Sequence, residues 1–297
     1  MHHSTILRAL VIGALSAAAL GRTLAAATPW AIRRAQSGLF AGIGDDLQHY
    51  QETSGGAPLD SESGGLQAYT LGLTHLGRRS GRPYWRVQLS EVRGTTRYQA
   101  NSPQGPQAAG STTNRVIAAG ARLGLAIGGL WRQDRDAVLI PYLGVGFHRW
   151  ARGTDQGRID PGGETYTEDH LGIGIAADYA LEPRLVLSLH ALTGYTLGAQ
   201  VTATRPVFFD TATGTLQSAR ITQSLGDRPY DVIGGAIAYR VDHRLEIALH
   251  VRRAIWSAAG ASPIAIRDSS GQTVGTTEIP ANATAETTIL LEASTPF

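Results

Sequence analysis

The chain has no cysteine, no lysine and one methionine among its 297 residues. Without cysteine it forms no disulfide and no thiolate metal site, so disulfide-stapled and zinc-ribbon domains are excluded. All 26 basic residues are arginine. A guanidinium fork suits phosphate, but a GC-rich genome also favours Arg over Lys, together with Ala and Gly. Genome composition is the reading adopted. The formal net charge of +2 is too small to mark a nucleic-acid partner. After the first thirty residues no stretch has apolar residues at helical spacing.

One long apolar run is present, at the start, in MHHSTILRALVIGALSAAALGRTLAAATPW. Arg8 precedes it, small and apolar residues fill Ala9 to Leu20, and Leu-Ala-Ala-Ala follows. That is the layout of a cleaved secretory signal. The run is too short to span a bilayer and Arg22 interrupts it. Residues 1–27 are expected to be signal peptide and 28–297 one mature domain.

In the rest of the chain apolar residues recur at period two, which is the spacing of β-strands. Ten strands are expected, near 38–50, 66–77, 83–98, 114–130, 137–152, a hairpin over 170–200 broken at 181–184, then 230–241, 244–257 and 286–297. The connections alternate in length. RRSGR, WRQDRD, LEPR and VDHR are short. The others are longer and rich in Gly, Thr, Ser, Asp and Pro, the two longest being about 202–228 and 259–285. Short turns at one end and long loops at the other fit a membrane β-barrel with an even strand number.

The two faces of each strand differ in chemistry. In 245–255 the odd positions are Leu245, Ile247, Leu249, Val251, Arg253 and Ile255, and the even ones include Glu246, Ala248, His250 and Arg252. Several strands exceed ten residues, the length a tilted strand needs to cross a bilayer. The apolar set is therefore expected to face lipid and the polar set a narrow lumen. In that lumen Arg86, Arg122, Arg240 and Arg252 are expected to pair with Asp178, Glu246 and Glu292, because isolated charges there are costly. Aromatic residues end the apolar stripes at two levels, as interfacial girdles do. Trp85, Trp131, Tyr179, Tyr239 and Phe297 fall near the short turns; Tyr69, Phe147 and Tyr195 fall near the long loops. The fold class is all-β, a closed antiparallel transmembrane barrel.

The leader, the strands PYLGVGFHRW and HLGIGIAADYALEPRL, and the final TTILLEASTPF resemble Gram-negative outer-membrane β-barrel proteins. Terminal Phe297, with Thr295, Ala293, Leu291 and Ile289 at alternating positions, looks like the C-terminal signal read by the barrel assembly machinery. The resemblance implies a location in the bacterial outer membrane, with outer-membrane lipid, lipopolysaccharide and the assembly machinery as partners. It leaves function open, since the scaffold hosts adhesins, channels, proteases and lipid-modifying enzymes.

Ten-stranded barrels include the omptin proteases, which use an acidic pair and an Asp-His pair. Asp45-Asp46 and Asp169-His170 are the available counterparts; Asp46 and His170 share the inward parity, as a carboxylate-assisted general base needs, but Asp45 has outward parity and no recognisable omptin motif surrounds the pairs. No Gly-x-Ser-x-Gly elbow is present, and Ser188 with His190 are near neighbours on one strand face. His148, His170, His190 and His250 share inward parity at different heights, so no metal site is expected. No catalytic residue and no cofactor is assigned. The expected role is structural or surface-interacting through the long loops, ahead of a narrow channel and of a membrane-embedded hydrolase.

Overall fold

The computed structural model describes residues 30–54, 57–78, 82–102, 105–128, 137–154, 163–258, 260 and 262–297. The proposed signal peptide and Trp131 lie outside them. A short helix, α1 (Trp30–Ala35), precedes β1 (Gly38–Ser54), β2 (Ala57–Leu76), β3 (Arg82–Ser102), β4 (Gly105–Gly128) and β5 (Ala137–Thr154). Next come β6 (Glu164–Glu182), β7 (Leu185–Asp210), β8 (Thr215–Ser224), β9 (Pro229–Arg240) and β10 (Glu246–Trp256). A hairpin of β11 (Ser262–Asp268) and β12 (Thr273–Ile279) leads into β13 (Ala281–Pro296).

Ten of these strands form a closed antiparallel barrel wall. β1 to β7 pair in sequence, β7 pairs with β9, β9 with β10, β10 with β13, and β13 returns to β1. The seam runs from Gly38↔Pro296 to Thr53↔Ala281. The other three strands lie off the wall: β8 continues the sheet along β7, and β11–β12 meets the far end of β7.

The expected faces are those observed. Leu39, Ile43, Leu71, Leu123, Leu143 and Leu291 are exposed on the outside, each at odd parity. Exposed apolar residues recur on every wall strand, which forms a lipid band rather than a water-facing surface. Even positions point inward and are mostly buried or half-buried. Parity changes once on β7: Leu192 and Thr196 are buried, then Ala199, Val201 and Ala203. Gly198 sits at the change with φ of +60°, where the β6–β7 register also shifts. An extra residue in left-handed conformation makes a bulge that turns the strand's other face inward.

Three features differ from the sequence reading. Strands run past the expected limits at the long-loop end: β2 begins at Ala57, β4 at Gly105 and β13 at Ala281, and β7 ends at Asp210. The two longest connections hold β8, β11 and β12, where unstructured loops were expected. Outside lipid a strand need not be apolar on one face, so these segments lose the alternation but keep their pairing. The third difference is α1. At six residues it is too short to show a periodicity, and it packs inside the barrel's short-turn end, where Ile32 is buried against Leu76, Tyr84, Val138 and Ile140.

The described short turns close tightly. In the turn between β9 and β10, Asp242 accepts backbone N–H bonds from Arg244 (2.5 Å) and Leu245 (2.9 Å). These two donors hold its carboxyl below the usual aspartate range.

Ten strands enclose little space, and inward glycines reflect that. A Cβ on Gly174 would lie 2.3 Å from the Tyr142 ring and 2.6 Å from the Ala191 carbonyl oxygen, whereas one on Gly153 would meet nothing within 4 Å. Gly174→Leu is therefore expected to overpack the lumen, at a cost of about 1–3 kcal/mol or more. Gly153→Leu should fold as wild type. Heat-modifiable migration of the refolded barrel on gels measures both, and equal folded fractions would mean that the lumen yields at Gly174.

Candidate functional site

Inward polar side chains gather in three tiers. The tier nearest the long loops centres on Arg152 of β5. Its guanidinium lies 3.4 Å from Glu52, 3.1 Å from Glu164 and 2.9 Å from Glu62. The Glu62 contact is an ion contact without an aligned hydrogen bond. Arg152 also sits over the Tyr50 ring at 4.6 Å. Tyr50 donates to Glu52 (2.5 Å), and Tyr166 donates to Glu164 (2.9 Å). Asn114 donates to Glu62 at 2.6 Å and accepts from Trp150 Nε1 at 2.7 Å, and Thr96 donates to Glu62 as well. The Trp150 ring stacks on Tyr166 at 5.0 Å and meets Tyr50 edge-on at 5.1 Å. β1 to β6 each contribute a side chain, so the tier ties six strands across the bore. Nearly all these groups are buried.

The middle tier centres on His148, whose two ring nitrogens are each 3.5 Å from a carboxylate, Glu168 on one side and Glu286 on the other. Arg228 bonds Glu168 (2.9 Å) and Asn282 (2.8 Å). Trp256 packs on His148 at 5.0 Å and on Tyr230 at 5.1 Å; Tyr230 in turn meets His170 at 4.7 Å. Arg252 donates to the Tyr230 hydroxyl at 2.9 Å, and Thr288 donates to Asp46 at 3.2 Å.

The tier towards the short turns holds most of the charges singled out from sequence. Arg86 bonds Glu292 at 3.1 Å and lies over the Phe40 ring at 3.9 Å. His250 Nε2 is 3.4 Å from the same Glu292. Asp178 accepts from Gln36 at 3.1 Å. Arg122 faces the Tyr142 ring at 5.2 Å, and Arg240 faces Trp30 of α1 at 4.3 Å. Glu246 is buried on β10. All seven residues sit at inward positions, but the pairing differs from the expected network. Among the described residues one of the seven-member set's Arg–carboxylate contacts forms, Arg86–Glu292. Adjacent strands place Ala248, not Glu246, opposite Glu292, and Arg252 opposite Thr288, so parity alone could not fix the partners.

The aromatic positions also fall at two levels. The rings of Phe297 and His75 stack at 6.5 Å, and those of His75 and Trp85 at 5.8 Å, all near the short turns. Tyr179 and Tyr239 are exposed towards the same end. Tyr69 and Phe147 are half-buried and Tyr195 is exposed towards the loops.

Sequence reasoning missed the outermost tier. Glu62 and Glu164 lie in segments taken as loops, and Arg152 at the limit of an expected strand. The signal was present in the continued even parity of Tyr50, Glu52, Trp150, Arg152, Glu164 and Tyr166 beyond the apolar stripe.

Of the catalytic arrangements weighed from sequence, Asp46 and His170 both face inward with no described bond between them, while Asp45 and Asp169 are exposed on the outer face. Ser188 contacts Gln36 at 3.4 Å and makes no described bond to His190. Among the described residues no group of three or more His, Asp or Glu is placed to hold a metal ion. Between the two deeper tiers is a cavity of about 120 Å³ lined by Arg86, Arg122, His190, His250 and Glu292.

The sequence matches no protein-family model and no curated protein. The architecture does have likenesses among solved structures. The outer membrane protease OmpT of Escherichia coli aligns with a TM-score of 0.53 at 11% identity, over 93% of this chain and 99% of that one. The transport unit of the autotransporter AIDA-I of Escherichia coli aligns at 0.43 and 9%, over 97% of each chain. Ail, the attachment invasion locus protein of Yersinia pestis, aligns at 0.28 and 11%, over 88% of this chain and 99% of that one. The fold is that of bacterial outer-membrane β-barrel proteins, the class expected from the sequence.

The outermost tier gives a direct test. Arg152→Met leaves two buried carboxylates and half-buried Glu164 without their cation and is expected to cost about 3–5 kcal/mol. Arg122→Met removes no described ion pair and should cost about 1 kcal/mol or less. Urea unfolding of the refolded barrel, followed by tryptophan fluorescence, compares them. Equal small losses would show the outer tier to be wet and held by packing instead.

Proposed function

We propose that this protein is an occluded outer-membrane barrel that works through the β-structure it holds above the membrane, as a surface-interaction protein and not as an enzyme or an open pore. The observation that carries this is the course of β7. Its pairing with β6 ends at Thr202, yet it continues to Asp210, with β8 paired along it from Gln200↔Ser224 to Asp210↔Thr215. On its other edge Phe208 and Phe209 pair with Arg267 and Asp268 of β11. β11 starts from the β10–β13 side of the wall, so the β11–β12 hairpin reaches across the mouth, and Ile264 packs on the cluster that includes Tyr50, Trp150 and Tyr166. Ordered structure is thus built where a solute would have to enter. At the other end α1 fills the bore.

The platform presents β8, exposed along nearly its whole length, and the β12 edge, which pairs only with β11 among the described residues. Exposed strand edges offer main-chain hydrogen bonds to a partner. The test is adhesion of bacteria expressing the protein to collagen- and fibronectin-coated plates. Replacing 211–224 and 262–279 with short Gly-Ser linkers is expected to abolish adhesion while the barrel still reaches the membrane. Retained adhesion would remove the surface-interaction role. Stepwise conductance of the wild type in a planar bilayer would replace it with a channel.

Assembly is part of the same proposal. Phe297 ends the period-two stripe of β13, and 73% of its surface is exposed. Recognition of this residue by the barrel assembly machinery accounts for an apolar side chain this exposed beside the His75 ring. Deleting Phe297 should lower outer-membrane yield severalfold, while the barrel refolded in detergent keeps its urea midpoint. Equal membrane yield by fractionation at matched expression would leave Phe297 only an interfacial ring.

A further inference from the structure

Inside the bore the sheet register sets Arg86 of β3 directly opposite Arg122 of β4. Like charges in that position weaken a strand pair, and in a narrow lumen each also loses hydration. Arg86 bonds a carboxylate, Glu292, at 3.1 Å. The described contact of Arg122 is the Tyr142 ring at 5.2 Å. Arg252 of β10 donates to the Tyr230 hydroxyl at 2.9 Å. Its electrostatic neighbours Asp46 and Glu286 are engaged instead by Thr288 at 3.2 Å and by His148 at 3.5 Å. Three guanidinium groups thus share one bonded carboxylate.

These three arginines border a second cavity, of about 90 Å³, beside the larger one described above. Gln88, Ser90 and His170 complete its polar lining, and among the described residues no carboxylate lines it. Glycine opens the space. Gly120 of β4 shares the inward parity of Arg122, and a Cβ on it would meet only the Val145 carbonyl oxygen, at 3.6 Å. Gly120 pairs with Gln88 on one side and Gly146 on the other. Gln88 accepts from Arg86 Nε at 3.4 Å, and its amide N–H groups have no described bond. The His170 ring lies across Gly146, where a Cβ would be 2.3 Å from Nε2. That nitrogen is therefore held beside the Gly120–Gly146 pair. Donors converge on this space from β3, β4, β6 and β10.

Charge and size together define what fits. At roughly 30 Å³ per water, the cavity admits an ion with a few oxygens and excludes a sugar or a nucleotide. A monatomic anion cannot bridge several guanidinium forks, whereas a tetrahedral oxyanion presents four acceptors to them. We propose that the lumen binds one tetrahedral oxyanion, phosphate or sulfate, with Arg86, Arg122 and Arg252 as its charged ligands and Gln88 and His170 as further donors. The ion braces β3, β4 and β10 where no protein carboxylate does. The site lies inside the wall, so it is independent of the surface-interaction role of the platform.

The test uses the full barrel refolded in neutral detergent and chloride buffer. It is titrated with sodium phosphate and, separately, with sodium sulfate, at an ionic strength held constant with sodium chloride. Equilibrium dialysis with the labelled ion counts what is bound, and urea unfolding reports the stabilisation. One ion per barrel and a raised urea midpoint are expected with at least one of the two. Arg122→Met removes a ligand but no described ion pair. Gly120→Leu fills the space and keeps all three arginines. Each should weaken binding about tenfold or more, as loss of charge-assisted bonds requires. Arg253→Gln, on the outer face of β10, should bind as wild type. Should Gly120→Leu fail to refold, Arg122→Met carries the test. Either folded variant binding as wild type overturns the proposal. So does a wild type that takes up neither ion, or one whose uptake is lost in Arg253→Gln, which would mean an adventitious ion on surface arginines. Adhesion of whole cells is measured separately, so either claim can fail without the other.

Discussion

A chain that crosses hydrocarbon must pair its backbone N–H and C=O groups within itself, because lipid offers no partner. Here closure is the condition everything else meets. β1 finds β13 on one side and β2 on the other, and β7 finds β9, so no wall strand keeps a free edge within the lipid band. Closing on ten strands fixes a narrow bore, and a narrow bore decides which side chains can point into it. Glycine at Gly72, Gly146 and Gly174 lets Phe40, His170 and Tyr142 cross the space: an added Cβ would lie 2.3–2.4 Å from those rings. The alternation of small and large inward residues is a consequence of closure, and so is the scarcity of room for a water column.

The charges inside follow from the same constraint. A carboxylate in a narrow bore loses hydration that only a partner can restore. Glu52, Glu62 and Glu164 share Arg152; Glu168 takes Arg228; Glu292 takes Arg86. Four of these five pairs join segments distant in sequence, and Arg152–Glu164 joins neighbouring strands, so the charges act as cross-braces. Several inward polar atoms have no protein partner, among them Nε2 of His190 and both side-chain ends of Gln48. Buried groups of that kind call for water, so the plug is polar and locally hydrated rather than dry throughout.

The wall was legible in the sequence because lipid imposes period two without exception. Leu245 to Val251 reads as a lipid-facing stripe whatever its neighbours are, and all ten wall strands were found from such stripes. Partner choice was not legible. Arg122 and Arg86 are opposite each other on β3 and β4, yet only Arg86 reaches Glu292, across the bore on β13. Parity gives the face, but the reach across a lumen depends on barrel height and stagger. The strands above the band were hidden for a different reason. β8 carries TLQSARITQS, polar on both faces, and its pairing with β7 is held by backbone bonds that leave no side-chain pattern. Helix α1 escaped because six residues make less than two turns, and its burial depends on a cavity that exists only after the barrel closes.

Closure also explains why the outer tier lies where it does. Above the band the wall strands no longer need lipid-matched faces, and nothing but their own contacts keeps them aligned. Arg152 and its partners join β1 to β6 at that height. Ala199, Val201 and Ala203 of β7 belong to the same buried cluster, brought inward by the bulge at Gly198. The parity change therefore fastens the root of the β7 extension to the plug. A strand extended twelve residues past Gly198 is anchored there and flanked by β8 and β11 beyond the lipid band. A surface that must meet a partner gains affinity when it is ordered beforehand, since less freedom is lost on contact. The side chains that brace the bore at the long-loop end are also the ones that anchor the root of the β7 extension.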